Sequence, residues 1–362
     1  MICKKCVMSD DIEGVKIDSD GLCNYCKWDE KMNKNYPISE IRLDEMVQHI
    51  KKEGEGKKYD AVIGVSGGCD SSILLKHMVD RDVRCLAVHW DNNWNTDIAW
   101  KNIVTLTKRY GVDLKVRHIS RNIYDSLCIS FLMASVPDAD IPNDIALATV
   151  LYEEAEQHNI SVILNGHSFR TEGTCPNSWT YMDGKYIQSV NNEFLKTDLS
   201  TFPNMTINRW LKWLHIQRLR PLYFMDYIKT EAKKELKEVG WVDYGEQHAE
   251  NWYTKFVGYL WKHKFRQDLR YVTLSAQIRN GHMTRDEAFR ILEQPVVCDE
   301  SLIEKVKYRF TMTDDEFDDM MDQPVKSHKD YETYDFSKLK QVFEEFKDNL
   351  PQTFIDKYIN NL

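Results

Sequence analysis

Nowhere in the 362 residues do about 18 consecutive apolar side chains occur, so no transmembrane helix is expected. The opening MICKKCVMSDD lacks the apolar core of a secretory signal, which leaves the cytoplasm as the expected compartment. Basic charge is short as well. The formal net charge is -9, which argues against a broad nucleic-acid-binding face and leaves room only for a local basic groove. Neither a membrane nor a nucleic acid is therefore expected as a partner. No internal repeat and no low-complexity tract is seen. What remains is the make-up of a folded, soluble protein, with 42% hydrophobic and 29% charged residues and length enough for two or three domains. Nine cysteines in that setting read as metal ligands or core residues rather than disulfides.

A further absence sharpens the central motif. Residues 60–80 read DAVIGVSGGCDSSILLKHMVD, and no lysine follows the glycines as it would in a Walker loop. Ala61 to Val65 is a short β-branched apolar run, as in a strand buried on both faces. Ile73, Leu74, Leu75, Met78 and Val79 recur at helical spacing. Between them, Gly67 and Gly68 let backbone N–H groups approach an anion at a helix N-terminus. Ser66, Ser71 and Ser72 add hydroxyl donors, and Asp70 is the candidate ligand for Mg2+. The spelling SGGCDSS resembles the loop of the PP-loop ATP pyrophosphatases. That resemblance implies ATP as cofactor, split between its α and β phosphates. A plain connecting turn is the rival reading, and the order strand, loop, helix speaks against it.

Residues 1–30 form a unit of their own. Cys3-x-x-Cys6 and Cys23-x-x-Cys26 are separated by sixteen residues, the spacing of a closed four-thiolate Zn2+ site with a structural role. Residues 31–56 are expected to be a linker carrying a helix over 38–56. An α/β PP-loop domain with a parallel sheet spans 57–240, with an irregular insertion at about 174–205 serving as lid or substrate wall. A helical region fills 241–362, and its acidic run Asp314 to Asp319 reads as a solvated helix face.

Further strands are expected at 84–90, 114–119 and 161–164, and two of them end in candidate loops. At the end of the first stand His89, Trp90 and Asp91, placed where open α/β sheets bind ligands. Trp90 is a candidate wall for adenine, Asp91 a ribose contact or cap, and Asn95 or Thr96 the cap of the helix from Ile98. After the last strand, Asn165-Gly166-His167-Ser168-Phe169-Arg170-Thr171-Glu172-Gly173 offers Gly166 for close approach and Thr171 as a phosphate donor. Glu172 is a magnesium ligand or general base. Asp138, Asp140 and Asp144 are either a second metal site or helix caps, with capping the better fit. Thr206 to Arg220 is expected to be one basic, aromatic helix. Among Lys255, Lys264, Arg266, Arg270 and Arg279, some cations are expected to reach the phosphates.

The four-cysteine knuckle, SGGCDSS, VHWDNNWNT, NGHSFRTEG and the long block WYTKFVGYLWKHKFRQDLRYVTLSAQIRNGHMTRDEA together resemble the N-acetyl sugar amidotransferases of surface-polysaccharide biosynthesis. One departure is Gln247 in GEQHAE, where the family pattern GKHxE has lysine, and this shifts a phosphate role toward Lys255. The resemblance implies conversion of a sugar N-acetyl group into an acetamidino group on a nucleotide-sugar substrate, such as a UDP-linked diacetamido uronic acid. It implies Glu172 or His248 as the base for the ammonium proton. It also implies ammonia from a separate glutaminase subunit with a cyclase-like, histidine-biosynthesis-type subunit. No glutaminase elbow surrounds any cysteine, and position 2 is Ile2. The alternatives are a PP-loop tRNA thiolase and a scaffold that binds nucleotide without turnover.

Overall fold

Strand β1, Ala61–Gly64, buries its three β-branched or small residues on both faces, as the apolar run predicts. The computed structural model describes residues 1–245, 250–296 and 300–334. Strand β2, Cys85–Asp91, pairs parallel to β1, and β3, Asp113–His118, pairs parallel to β2. The chain then crosses to the other side of β1, where β4 is Val162–Leu164 and β5 is Gln217–Leu219. The resulting all-parallel order is β3-β2-β1-β4-β5. Connection direction reverses between β1 and β4, which opens a crevice beyond their carboxyl ends.

Helices α1, Asn24–Asn35, and α2, Glu40–Glu53, precede the sheet, and α3, Cys69–Val79, follows β1. Helix α4, Asp97–Tyr110, follows β2; α5, Arg121–Met133, and α6, Ile141–Gln157, link β3 to β4. After β4 come α7, Phe169–Glu172, α8, Gly184–Glu193, and α9, Ile207–Lys212. Helix α10, Lys229–Glu238, follows β5. The C-terminal region supplies α11, Trp252–His263, α12, Leu269–Arg279, α13, Arg285–Glu293, α14, Glu300–Phe310, and α15, Asp314–Asp322. No helix among the described residues is long and apolar enough to cross a membrane.

The period of two along each strand divides the core. Val62, Leu86, Val88 and Ile163 pack with Tyr124 and Phe131 of α5 and Val150 of α6. Ala61, Ile63, Ala87 and Leu164 face Leu43 and Val47 of α2, Ile73 of α3, Leu106 of α4 and Leu236 of α10. The sheet is covered on both sides, as a parallel sheet requires.

Two expectations are corrected. Residues 206–220 are not one helix: α9 ends at Lys212, and Gln217–Leu219 is the edge strand, held by its register with Val162, Ile163 and Leu164. Tertiary pairing overrides a basic, aromatic helical pattern there. The stretch 174–205 contains α8, whose Tyr186, Ile187 and Val190 are fully buried in the main core. The acidic helix α15 does present a solvated face, with Phe317 and Met320 turned inward.

Candidate active site

The phosphate loop is built by steric necessity. Gly67 has φ +79°, and a Cβ there would run into the carbonyl of Ala99 on α4. Ser66 and Ser71 close the loop on itself: Ser66 N–H donates to Ser71 Oγ at 3.3 Å, and Gly68 N–H donates to Ser66 Oγ at 3.2 Å. The loop is fixed from behind. The Gly67 carbonyl accepts Trp241 Nε1–H at 2.9 Å and Asn102 Nδ2–H at 3.1 Å. Helix α3 starts at Cys69 with Gly68 as N-cap and no side-chain capping bond, so the N–H groups of its first turn have no intrahelical partner. Cys69 N–H meets Tyr244 Oη at 3.2 Å.

The loop after β4 converges on the same point. A Cβ on Gly166 would come within 3.3 Å of both the Asp70 carbonyl and the Ser71 nitrogen, which is the close approach expected of that glycine. Glu172 and His167 stand beside it, His167 Nε2 lying 3.5 Å from Glu172 Oε2 and His167 Nδ1 3.1 Å from Tyr223 Oη. Burial, reinforced by Asp70, pushes the Glu172 carboxyl up to about 8. Burial, with Arg220 adding to it, pushes His167 down to about 4. Both shifts run opposite to those of an ion pair.

Asp70 is held at both oxygens. Tyr227 donates its hydroxyl to Oδ1, and Lys229 Nζ lies 2.9 Å from Oδ2. Burial alone would lower the Lys229 pKa, but Asp70 and Glu172 raise it, so the ammonium is firmly charged. Glu250 closes the ring, since a Cβ on Gly68 would stand 3.0 Å from its Oε1. Asp70 and Glu172 are hard oxygen donors beside a phosphate cradle. Among the described residues no trio of carboxylates closes around an ion there. That pattern suits Mg2+, which takes one or two carboxylates and completes its shell with phosphate oxygens and water.

Other sequence-predicted residues fall elsewhere. Ser72 is buried behind the loop. His89 is buried, its Nδ1 2.8 Å from the Val65 carbonyl and its Nε2 3.1 Å from Asn95 Nδ2. Trp90 lies in the core, edge-on to Tyr124. Asp91 shapes its own turn by accepting Asn93 N–H at 2.8 Å and pairs with His118 at 2.9 Å, while Thr96 caps α4. Thr171 is buried and bonds back to the Ser168 carbonyl at 3.4 Å. Lys255 lies in the first turn of α11, whose cap Asn251 bonds to Asn92 at 3.0 Å. Lys264 binds the Met321 and Gln323 carbonyls, and Arg270 pairs with Asp268. His248 and Gln247 lie outside the described residues.

The aspartates before α6 are corrected too. Asp140 occupies the N-cap position without a capping bond, and its Oδ2 accepts Thr254 Oγ1–H at 2.8 Å. Asp138 accepts Tyr181 N–H at 2.7 Å and Tyr186 Oη–H at 3.1 Å. These carboxylates tie α6 to neighbouring segments, because long-range donors outcompete the local N–H groups. Lys229, Tyr227, Tyr244 and Glu250 are the site residues that sequence reasoning missed.

Cys3, Cys6, Cys23 and Cys26 come together as their spacing predicts. All four are fully buried, and their sulfurs lie within 4.8 Å of one another. Cys3–Cys26 and Cys6–Cys23 are 3.7 Å apart and Cys6–Cys26 3.6 Å. A tetrahedron with metal–sulfur bonds of about 2.3 Å has edges of about 3.8 Å, so four thiolates fit around one ion. A second cluster, His77, Asp80 and Glu235, already holds Lys76, 2.6 Å from Asp80 and 2.7 Å from Glu235.

Residues 250–347 match the family described as LPS biosynthesis protein WbpG-like, C-terminal domain. This match bears out the resemblance drawn from the C-terminal block. An uncharacterized protein of Methanocaldococcus jannaschii is 30% identical over 119 residues, covering 32% of this chain and 42% of that relative. Two solved structures align over most of the chain at low similarity. NMN synthetase from Francisella tularensis has a TM-score of 0.35 and 12% identity, covering 84% of this chain and 98% of that one. The U34-tRNA thiolase NcsA from Methanococcus maripaludis, with its 4Fe-4S cluster, has a TM-score of 0.32 and 13% identity, covering 82% and 89%.

Proposed function

We propose that this PP-loop protein, which carries the C-terminal domain of lipopolysaccharide-biosynthesis proteins, is an ATP-dependent amidotransferase acting on the N-acetyl group of a nucleotide-linked sugar. The observation that carries the reading is the convergence of the SGGCDSS loop, Asp70–Lys229 and Glu172 at the β1/β4 crevice. ATP supplies the electrophile. The amide oxygen of the sugar attacks the α-phosphorus, the bond to pyrophosphate breaks, and an adenylated imidate forms. Ammonia then adds to the imidate carbon, and AMP departs with the former amide oxygen, leaving an amidine. Adenylation is needed because an amide oxygen is otherwise a very poor leaving group.

The chain's own groups meet each need. The Gly67–Gly68 turn and the first N–H groups of α3 receive phosphate oxygens. Lys229 offsets charge that grows on pyrophosphate as it leaves. Asp70 would hold Mg2+, which neutralises phosphate charge when bound. A carboxyl held near 8 is also well matched to taking the ammonium proton near neutral pH, and Glu172 is assigned that role. The four-cysteine unit is a structural Zn2+ site. Ammonia comes from a separate glutaminase subunit working with a cyclase-like subunit.

The test is pyrophosphate release from ATP with ammonium chloride and UDP-linked diacetamido sugars, Asp70→Ala serving as the inactive control. Release that depends on the sugar supports the reading. Release that instead requires tRNA and a sulfur donor would move the chain to the thiolases.

A further inference from the structure

The four-cysteine centre has a partner outside residues 1–30. Arg279, the last residue of α12, points its guanidinium at three of the four sulfurs. Its Nε lies 3.4 Å from Cys26 Sγ, and its Nη2 lies 3.5 Å from Cys6 Sγ and 3.8 Å from Cys23 Sγ. Among the described residues it makes no ion pair with a carboxylate. A partly buried cation is stabilised by a compensating charge, and these sulfurs are what it faces. Four thiolates around a divalent ion carry a net charge of about −2 in a fully buried pocket, so they need N–H donors and a nearby cation.

The same helix touches the candidate active site. A Cβ on Gly173, directly after Glu172, would stand 2.9 Å from the Val272 carbonyl and 3.2 Å from Ala276 Cβ, so α12 lies flush on the end of α7. Neighbouring contacts hold the elbow after α12 to the knuckle without involving sulfur. Arg285 donates to the Cys6 carbonyl at 3.1 Å and the Cys3 carbonyl at 2.8 Å, and Asn280 donates to Asp29 at 3.2 Å.

We propose that Arg279 is the charge-balancing positioning residue of the four-cysteine metal centre, and that through it the loaded centre fixes α12 against the Glu172–Gly173 edge of the ATP site. The inference rests on metal occupancy of the four cysteines and is independent of which sugar, if any, is the substrate. Arg285 serves as the internal control, because it grips the same knuckle by carbonyl contacts alone.

The experiment uses the full chain loaded with zinc. It follows transfer of zinc to a chromophoric chelator, together with hydrogen exchange of residues 169–173. Arg279→Gln is expected to accelerate zinc loss about 10- to 100-fold and to raise exchange in that segment. Arg279→Lys is expected to restore part of the retention, and Arg285→Gln to stay near wild type. Unchanged zinc loss in Arg279→Gln overturns the proposal. So does equal acceleration in Arg285→Gln, which would make elbow packing the cause. A wild-type chain that takes up no zinc would instead defeat the metal reading itself, and its zinc content separates the two failures.

Discussion

Lys229 Nζ and Asp70 Oδ2 are 2.9 Å apart, joining the start of α10 to the first turn of α3 across 159 positions of sequence. The pair sets a cation beside the phosphate loop, where the Asp70 carboxylate would otherwise face Glu172 unbalanced. Lys229→Ala is expected to lower the rate of pyrophosphate release about 10²- to 10³-fold, the usual cost of losing one donor to developing charge. Lys229→Arg should retain part of the activity. Steady-state kinetics over a range of ATP concentrations checks this, and a wild-type rate in the alanine variant would remove Lys229 from the site.

Much of this arrangement was legible in the sequence, and the exceptions share one cause. Strands β1, β2 and β4 were plain because a strand buried on both faces must be a short apolar run, and the CxxC pairs were plain because ligand spacing is local. Gly67 was plain because a close turn needs glycine. Lys229, Tyr227, Tyr244 and Glu250 reach the loop from distant segments, and no local spacing marks a residue brought in by tertiary packing. Strand β5 was hidden for a related reason, since three residues on a sheet edge take their form from β4.

Glu172 gives a pH prediction with a definite sign. Its folded pKa, about 8, lies above the ordinary 4.5, so between those values the folded chain binds more protons than the unfolded one. Stability contributed by this group is therefore present at low pH and lost as pH rises toward about 8. Glu172→Gln removes that slope. Thermal melts at steps through the window should show the variant gaining on wild type as pH rises, and parallel curves would contradict the assignment.

Gly67→Ala tests the loop's backbone. The left-handed φ of +79° costs a residue with a Cβ about 1–2 kcal/mol, and the clash with the Ala99 carbonyl adds to it. A lower denaturant midpoint with loss of ATP binding is expected. Gly56→Ala is the control, being also left-handed, at φ +74°, but with nothing within 4 Å of the added Cβ. It should lose stability by the φ term alone and keep ATP binding.

Asn102 fastens the back of the loop. It donates to the Gly67 carbonyl at 3.1 Å and the Val242 carbonyl at 2.9 Å, and it accepts Val242 N–H at 2.8 Å. Asn102→Ala leaves both Val242 groups without this partner and should destabilise by roughly 1–3 kcal/mol. Because the Trp241 segment also braces Gly67, the KM for ATP should rise as well. Equilibrium unfolding and ATP titration read the two effects separately.

The central claim is that ATP cleavage here activates a sugar amide for attack by ammonia. The most direct measurement supplies the purified chain with ATP, Mg2+, ammonium chloride and a UDP-linked diacetamido uronic acid, and follows both pyrophosphate and the mass of the sugar. The account predicts sugar-dependent pyrophosphate release, AMP in equal amount, and a product in which one oxygen has been replaced by NH, all lost in Asp70→Ala. Pyrophosphate release without any change in the sugar, or release only with tRNA and a sulfur donor, would contradict it.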